Sequence, residues 1–219
     1  MAYVDLIREI HTATERDYLS RVTSHDKAVS SEVAKRFGSD YFDGERRYGY
    51  GGYRYDGRWK RFAAAIAAHY ELQAGARVLD VGCAKGFLVH DLRTVAGSNA
   101  TGVDVSRYAI EHAFPEAREH VSVADAVELP FEDSSFDLVV SINTLHNLRL
   151  PDLERALQEI ERVGTGHSYI VVDGYRTGRE KMNLMYWQLT CECFFSPEEW
   201  DWLFAQVGYT GDYACVFFE

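Results

Sequence analysis

Val78-Leu79-Asp80-Val81-Gly82-Cys83-Ala84-Lys85-Gly86-Phe87 joins a short apolar run to an amphipathic one through a turn built on Gly82 and Gly86. A brief apolar run bounded by glycine reads as a buried strand, and FLVHDLRTVAG (87–97), closed by Gly97, as a helix. A glycine-rich turn between strand and helix lets the main chain approach a ligand and aims helix N–H groups at it. Two well-known turns of this kind do not fit. The dinucleotide fingerprint needs glycine or a small residue at its first, third and last marked positions, which here are Gly82, Ala84 and Phe87. A phenylalanine there would obstruct close helix–strand packing, and the Gly-Lys-Ser/Thr of a P-loop is missing.

Working outward, the chain from about residue 60 alternates helix and strand. WKRFAAAIAAHYEL (59–72) is an alanine-faced helix and ARVLDVG (76–82) the strand entering the turn. ATGVDVS, HVSVADA, FDLVVSINTLH and SYIVVDGY read as further strands. RYAIEHAFPEA is a helix broken near Pro115, and PDLERALQEIERVG carries Leu153, Leu157, Ile160 and Val163 on one side. Such alternation means βαβ units and a mostly parallel sheet of six or seven strands with helices on both faces. Sheets of that kind bind ligands beyond the carboxyl ends of their strands, at the switch point.

Residues 1–40 read as helical, with Leu6, Ile7, Ile10, Leu19, Val22, Val29, Val33 and Phe37 three or four apart and Ser30 or Ser31 as a cap. YFDGERRYGYGGYRYDGRW (41–59) follows, with seven aromatics, five glycines, four arginines and three acids and no aliphatic residue. Its aromatic density argues against disorder, and a long loop of this composition in a compact domain reads as a lid or ligand-contacting segment. The chain therefore divides into a cap and lid (1–59) and an α/β domain (60–219). In the last third, MNLMYWQLTCECFF (182–195) reads as helix then strand, Ser196-Pro197-Glu198-Glu199 as a helix start, and 213–218 as a final strand. Either CECFF completes the sheet or an apolar edge stays open to a partner chain.

The 219 residues carry a formal charge of −11 and 47% hydrophobic residues, enough for a full core and adverse to a broad nucleic-acid or anionic-membrane surface. The four cysteines (Cys83, Cys191, Cys193, Cys215) form no CxxC pair and read as buried, reduced packing residues. No run is long enough to span a bilayer, and the N-terminal stretch has no continuous apolar region of the signal-peptide kind. Cytoplasmic residence is the expectation.

Asp-x-Gly-x-(Gly/Ala)-x-Gly at the end of the first strand resembles motif I of class I S-adenosylmethionine-dependent methyltransferases, and the likeness runs over about 60–175. Asp104 ends the second strand, where relatives place an acid on the ribose hydroxyls. Asp125 ends the third, where relatives contact the adenine amino group. LPFEDSSFDLV (129–139) resembles the stretch before strand four, and Asn143-Thr144-Leu145-His146-Asn147 stands in the pocket-lining loop after it. The departure is Ala84 at the central glycine. YGYGGYRYDGRW (48–59) also resembles a segment of bacterial methyltransferase-like proteins associated with sugar, polysaccharide and natural-product gene neighbourhoods.

The resemblance implies a Rossmann-like class I methyltransferase fold with an N-terminal helical cap, and S-adenosyl-L-methionine as cofactor. It implies cofactor contacts at Asp80, Gly82, Ala84, Gly86, Asp104, Val105, Asp125, Ala126, Asn143 and, from the lid, Tyr53. Lys85 is expected to be solvated. Methyl transfer needs a base only where the nucleophile must lose a proton, and His146, with a pKa suited to neutrality, is the candidate. Asp173 ends the fifth strand, with Tyr175 and Arg176 behind it. Tyr55, Arg58, Tyr175 and Arg176 are the expected substrate contacts, with Arg54 or Arg58 suited to a carboxylate or phosphate. Asn143 stands where a metal site would want an acid, so no catalytic metal is expected. The expected function is methyl transfer to a small molecule in sugar or natural-product biosynthesis. The alternatives are elimination or ring closure on the same fold, or a non-catalytic partner subunit. Oligomerisation through the C-terminal sheet edge is a further expectation.

Overall fold

The computed structural model describes residues 1–12 and 16–219. Four short helices come first: α1 (Arg8–Thr12), α2 (Tyr18–Thr23), α3 (Lys27–Ala34) and α4 (Ser39–Phe42). The helical reading of 1–40 is therefore right only in pieces, and its part at 13–15 lies outside the described residues. Residues 1–7 are not helical, and α3 is capped by Asp26, whose carboxylate accepts from the N–H groups of Ala28 and Val29. Ser30 and Ser31 lie inside α3 rather than at its start, because an aspartate four positions earlier reaches the free N–H groups first.

The alternating region then follows in order. It contains α5 (Trp59–His69), β1 (Arg77–Val81), α6 (Phe87–Val95), β2 (Asn99–Asp104), α7 (Arg107–Glu111), β3 (Val121–Val123) and β4 (Leu138–Ile142). It continues with α8 (Leu150–Val163), β5 (Ser168–Gly174), α9 (Gly178–Trp187), α10 (Pro197–Val207) and β6 (Asp212–Phe217). A 3-10 helix begins on the proline at Pro115–His120, after α7 has ended at Glu111, and a single 3-10 turn stands at Leu145–Asn147.

Among the described residues six strands form one sheet in the order β3-β2-β1-β4-β5-β6, every pair parallel. Strand side chains alternate between two cores, as the two-residue period requires. Val78, Val140 and Val171 meet Phe62, Ile66, Leu88 and Leu92 of α5 and α6 on one face. Leu79, Val139 and Ile170 meet Leu153, Leu157, Ile160, Trp200 and Phe204 of α8 and α10 on the other. The chain reverses direction across the sheet between β1 and β4, so the switch point lies over the carboxyl end of β1.

CECFF is not a strand. His146 O accepts the N–H groups of both Glu192 and Cys193, which holds this segment against the loop after β4 instead of in the sheet. β6 pairs directly with β5, and its outer edge is not left bare. Val4 N–H donates to Tyr213 O at 2.8 Å and Tyr213 N–H to Ala2 O at 3.0 Å, so the first residues lie along the last strand. All four cysteines are buried and unpaired. Among the described residues no helix is long and apolar enough to cross a membrane.

Candidate active site

The turn after β1 is shaped by backbone angles that side chains restrict. Gly82 has φ +86°, and a Cβ there would lie 2.1 Å from Thr144 Oγ1. Gly86 has φ +77°, with the Ala117 and Val121 side chains at 2.9 and 3.0 Å from where a Cβ would stand. Ala84 also has positive φ, +50°. This left-handed conformation places the Ala84 N–H on Asp104 Oδ2 at 2.8 Å. Asp104 Oδ1 accepts from Ser106 N–H at 2.8 Å. Each oxygen keeps lone-pair capacity for a ligand hydroxyl. Burial raises the Asp104 pKa, against the pull of these two donors.

A cavity of about 400 Å³ opens over this turn. Asp80, Gly82, Ala84, Asp104, Val105, Asp125, Ala126, Asn143 and Tyr53 all line it, so nine of the residues expected to hold the cofactor are brought together. Gly86 does not line it and shapes the turn from beneath. Asp80 is 2% exposed and its carboxyl takes no hydrogen bond among the described residues. Burial and the neighbouring Asp104 push its pKa up to about 8. A buried acid with no donor, beside a free-standing diol acceptor, is the complement of a ligand carrying an ammonium and a ribose. S-adenosylmethionine has both, and the residues present fit it.

The segment 43–58 forms the roof of this site. Tyr53 stacks on Phe87 at 4.8 Å and lies 4.3 Å from Tyr50. Burial holds the Tyr53 phenol well above its ordinary pKa. Lys85 is not solvated. It is 8% exposed, and its ammonium donates to Asp43 Oδ1 at 2.8 Å, Asp43 Oδ2 at 2.6 Å and Tyr53 O at 3.2 Å. Tyr108 Oη also donates to Asp43 at 2.8 Å. The Asp43 pKa is lowered: burial works to raise it, and the Lys85 and Tyr108 hydrogen bonds more than offset that. Phe87 at the start of α6, which excludes a dinucleotide turn, is thus the platform for the roof.

A second cavity, about 360 Å³, adjoins the first. Tyr41, Tyr50, Tyr53, Trp59, Asn143 and Asn147 line both. His146 and Asp173 lie on its floor, 1% exposed each. His146 Nδ1 accepts the Asp173 main-chain N–H at 3.1 Å. The ring proton is therefore on Nε2, which stands 3.2 Å from Asp173 Oδ2. Burial lowers the His146 pKa although Asp173 pulls it up, and burial raises the Asp173 pKa although His146 pulls it down. Gln188 Nε2 also donates to Asp173 Oδ2.

Of the expected substrate contacts, Arg58 lines this cavity and is paired with Asp56 through both Nε and Nη2. The other three do not reach it. Tyr55 packs on Phe114 and His90 along the outer side of α6 and donates to Asp91 Oδ1 at 2.6 Å. Tyr175 donates to Glu199 at 3.2 Å. Arg176 is held by Glu180 and Glu219 and lies over Phe217. The chain turns outward after β5 because α9 and α10 return across its end, where Trp200 Nε1 donates to Asp173 O at 2.9 Å. Lining residues that sequence reasoning did not single out include Arg16, Arg21, Arg46 and Trp187. Nothing local marks them, since they come from α2 and the stretch just before it, the segment 43–58 and the end of α9.

A parallel sheet in this order, with an acid-lined cavity over its switch point, is a Rossmann-like arrangement. Residues 79–172 match the family described as a methyltransferase domain. The chain is 33% identical over 110 residues to 27-O-demethylrifamycin SV methyltransferase of Amycolatopsis mediterranei, covering 47% of this chain and 40% of that one. It is 30% identical over 167 residues to a sterol 4-C-methyltransferase of Caenorhabditis elegans, covering 71% and 48%. The chain thus spans less than half the length of these two relatives. Among solved structures, the complex of the Haloferax volcanii Trm112 methyltransferase activator with its methyltransferase-fold companion matches with a TM-score of 0.55 and 25% identity, over 67% of each chain. The YcgJ protein of Bacillus subtilis matches with a TM-score of 0.54 at 22% identity, over 66% of each chain, and shares the fold.

Proposed function

We propose that this protein transfers a methyl group from S-adenosylmethionine to a small molecule of a biosynthetic pathway of the sugar or natural-product kind. The observation that carries the reading is the pair of cavities meeting at Tyr50, Tyr53 and Asn143. One presents the nucleoside-complementary acids, and the other presents a buried polar floor. The relatives acting on rifamycin and sterols support small-molecule chemistry.

Bound S-adenosylmethionine supplies an electrophilic methyl on a sulfonium, and the work left to the protein is alignment and exclusion of water. Asp104 would hold the ribose hydroxyls, Asp125 and Ala126 the base, and Asp80 the ammonium. Tyr50 and Tyr53, which roof the passage between the cavities, offer aromatic faces to a cation. His146 and Asp173 act as a unit. With its proton on Nε2 and its Nδ1 lone pair engaged, His146 has no open base position, so the Asp173 carboxylate accepts the proton and His146 positions it. Burial raises the Asp173 pKa, which makes its carboxylate a stronger proton acceptor.

Titration with S-adenosylhomocysteine by calorimetry, alongside Asp104→Ala, tests the reading. Binding by the wild type is expected, and removal of the diol acceptor is expected to weaken it about a hundredfold or more, since hydrogen bonds to charged groups contribute about 1.5–3 kcal/mol each. A wild-type protein that does not bind overturns the reading.

A further inference from the structure

The second cavity is basic in an acidic protein. Arg16, Arg21, Arg46, Arg54 and Arg58 all line it, against Asp56 and Asp173. The guanidinium carbons of Arg16, Arg21 and Arg46 lie 5.5, 5.1 and 5.2 Å from the centre of the Trp187 ring. The two carboxylates are already engaged, Asp56 by Arg58 and Asp173 by His146. Arg21 donates to the main-chain carbonyls of Trp187 and Arg46, and Arg46 to that of Gly49. Neither these two nor Arg54 forms an ion pair with a carboxylate among the described residues.

This is costly as mere scaffolding. Crowded cations repel one another, and burial disfavours their charge. Arg21 shows it: burial, and then the nearby Arg46, bring its pKa down to about 10. A chain with 34 acidic residues has carboxylates to spare for gluing a cap onto α9. Here it supplies carbonyls and an indole, which orient the Arg21 and Arg46 guanidinium groups without an opposing carboxylate among the described residues. Planar guanidinium forks arranged so are receptors for carboxylate or phosphate oxygens.

We propose that the methyl acceptor is an oxyanion, a small molecule whose carboxylate or phosphate is held by Arg21, Arg46 and Arg54 beside Trp187, with its reacting end toward Asn143 and Asp173. The proposal rests on the first cavity being the cofactor chamber. The volume of about 360 Å³ suits a metabolite of monosaccharide size.

Calorimetry at low ionic strength tests it, with pyrophosphate, inorganic phosphate and malate as probes and glycerol as the neutral control. Each is run with and without saturating S-adenosylhomocysteine. The wild type is expected to bind at least one oxyanion and not glycerol. Phosphate probes alone mark a phosphate ester, and malate alone marks a carboxylate. Arg46→Gln and Arg54→Gln are expected to weaken that binding at least about tenfold, with S-adenosylhomocysteine affinity unchanged and Arg46→Lys retaining part of it. Arg54 is exposed, so its variant keeps the test valid even where Arg21→Gln or Arg46→Gln impairs folding. No oxyanion bound, or binding that persists in both glutamine variants, overturns the proposal. Oxyanion binding without S-adenosylhomocysteine binding would instead remove the methyltransferase reading and leave the anion site standing.

Discussion

The ammonium of Lys85 donates to both carboxylate oxygens of Asp43, at 2.8 and 2.6 Å, and so ties the glycine turn after β1 to the start of the segment that roofs it. Lys85 sits between Ala84 and Gly86 in that turn yet serves the roof above it. A single ion pair thereby couples the placement of Tyr53 to the conformation of the glycine turn.

Lys85→Met is expected to destabilise the protein by about 1–2 kcal/mol, because a charge-assisted bond is lost from a site that keeps some solvent on the Asp43 side. For a chain of this size that is a Tm drop of about 2–8 °C. Asp43→Asn should cost a similar amount and the double variant no more than either single. Thermal melts of the four proteins check this, and additive losses would show that the pair does not act as one.

Gly82 and Ala84 share the left-handed region but should respond in opposite directions. Gly82→Ala drives a Cβ into Thr144 and is expected to cost several kcal/mol, more than the ~1–2 kcal/mol of the backbone angle alone. Ala84→Gly removes that backbone penalty and adds the ~0.5–1 kcal/mol chain-entropy cost of glycine. Its expected effect is neutral to about +1 kcal/mol, with S-adenosylhomocysteine affinity undiminished. Melting and calorimetry on both variants decide it, and a weakened Ala84→Gly would mean that the methyl group itself is needed.

Asp80 makes stability depend on pH. Its folded pKa is about 8 against an ordinary 3.8, so the folded chain keeps a proton that the unfolded chain gives up. The stability linked to that proton is complete below about pH 4 and is lost as pH rises toward 8. Asp80→Asn cannot ionise. Its Tm relative to wild type is expected to rise steadily from pH 4 to pH 8 in ligand-free protein, and a constant difference across that window would refute the assignment.

Tyr55→Phe distinguishes packing from substrate contact. Asp91 is fully buried, and its Oδ2 already lacks a partner among the described residues. Taking the Tyr55 hydroxyl from Oδ1 leaves the whole carboxyl unsatisfied, a cost of about 1–3 kcal/mol. A lower Tm with unchanged KM is the expected outcome once a substrate is in hand, whereas a raised KM at unchanged Tm would return Tyr55 to the substrate.

Much of this architecture was legible because it is written in local periodicity. The strand–glycine–helix passage at 78–87 and the acids at the ends of β1 and β2 occupy positions that any parallel sheet turns toward its ligand. What escaped depends on contacts between distant segments. The partner of Lys85 lies 42 residues away, and no spacing encodes it. CECFF has the composition of a strand, but β6 takes the place beside β5 and leaves it to the His146 carbonyl. Tyr175 and Arg176 follow a strand end as site residues should, yet the returning helices divert Tyr175 into a hydrogen bond with Glu199 and Arg176 into ion pairs with Glu180 and Glu219. The arginines around Trp187 converge from separate elements, so only the assembled cap reveals them.

The first residues seal the outer edge of β6, and the hydrogen bond from Ala2 N–H to Asp212 spans 210 positions of sequence. Ala2 to Val4 can take their places only once the strand they cover has formed. Until then Ile7, buried in the finished protein, has lost its resting place. Closing so long a loop is slow relative to local folding. The docking of residues 2–4 onto β6 therefore follows the formation of the sheet. Until it is sealed, β6 offers its edge to another partly folded chain, so edge-to-edge pairing is the misassembly to which this fold is most exposed.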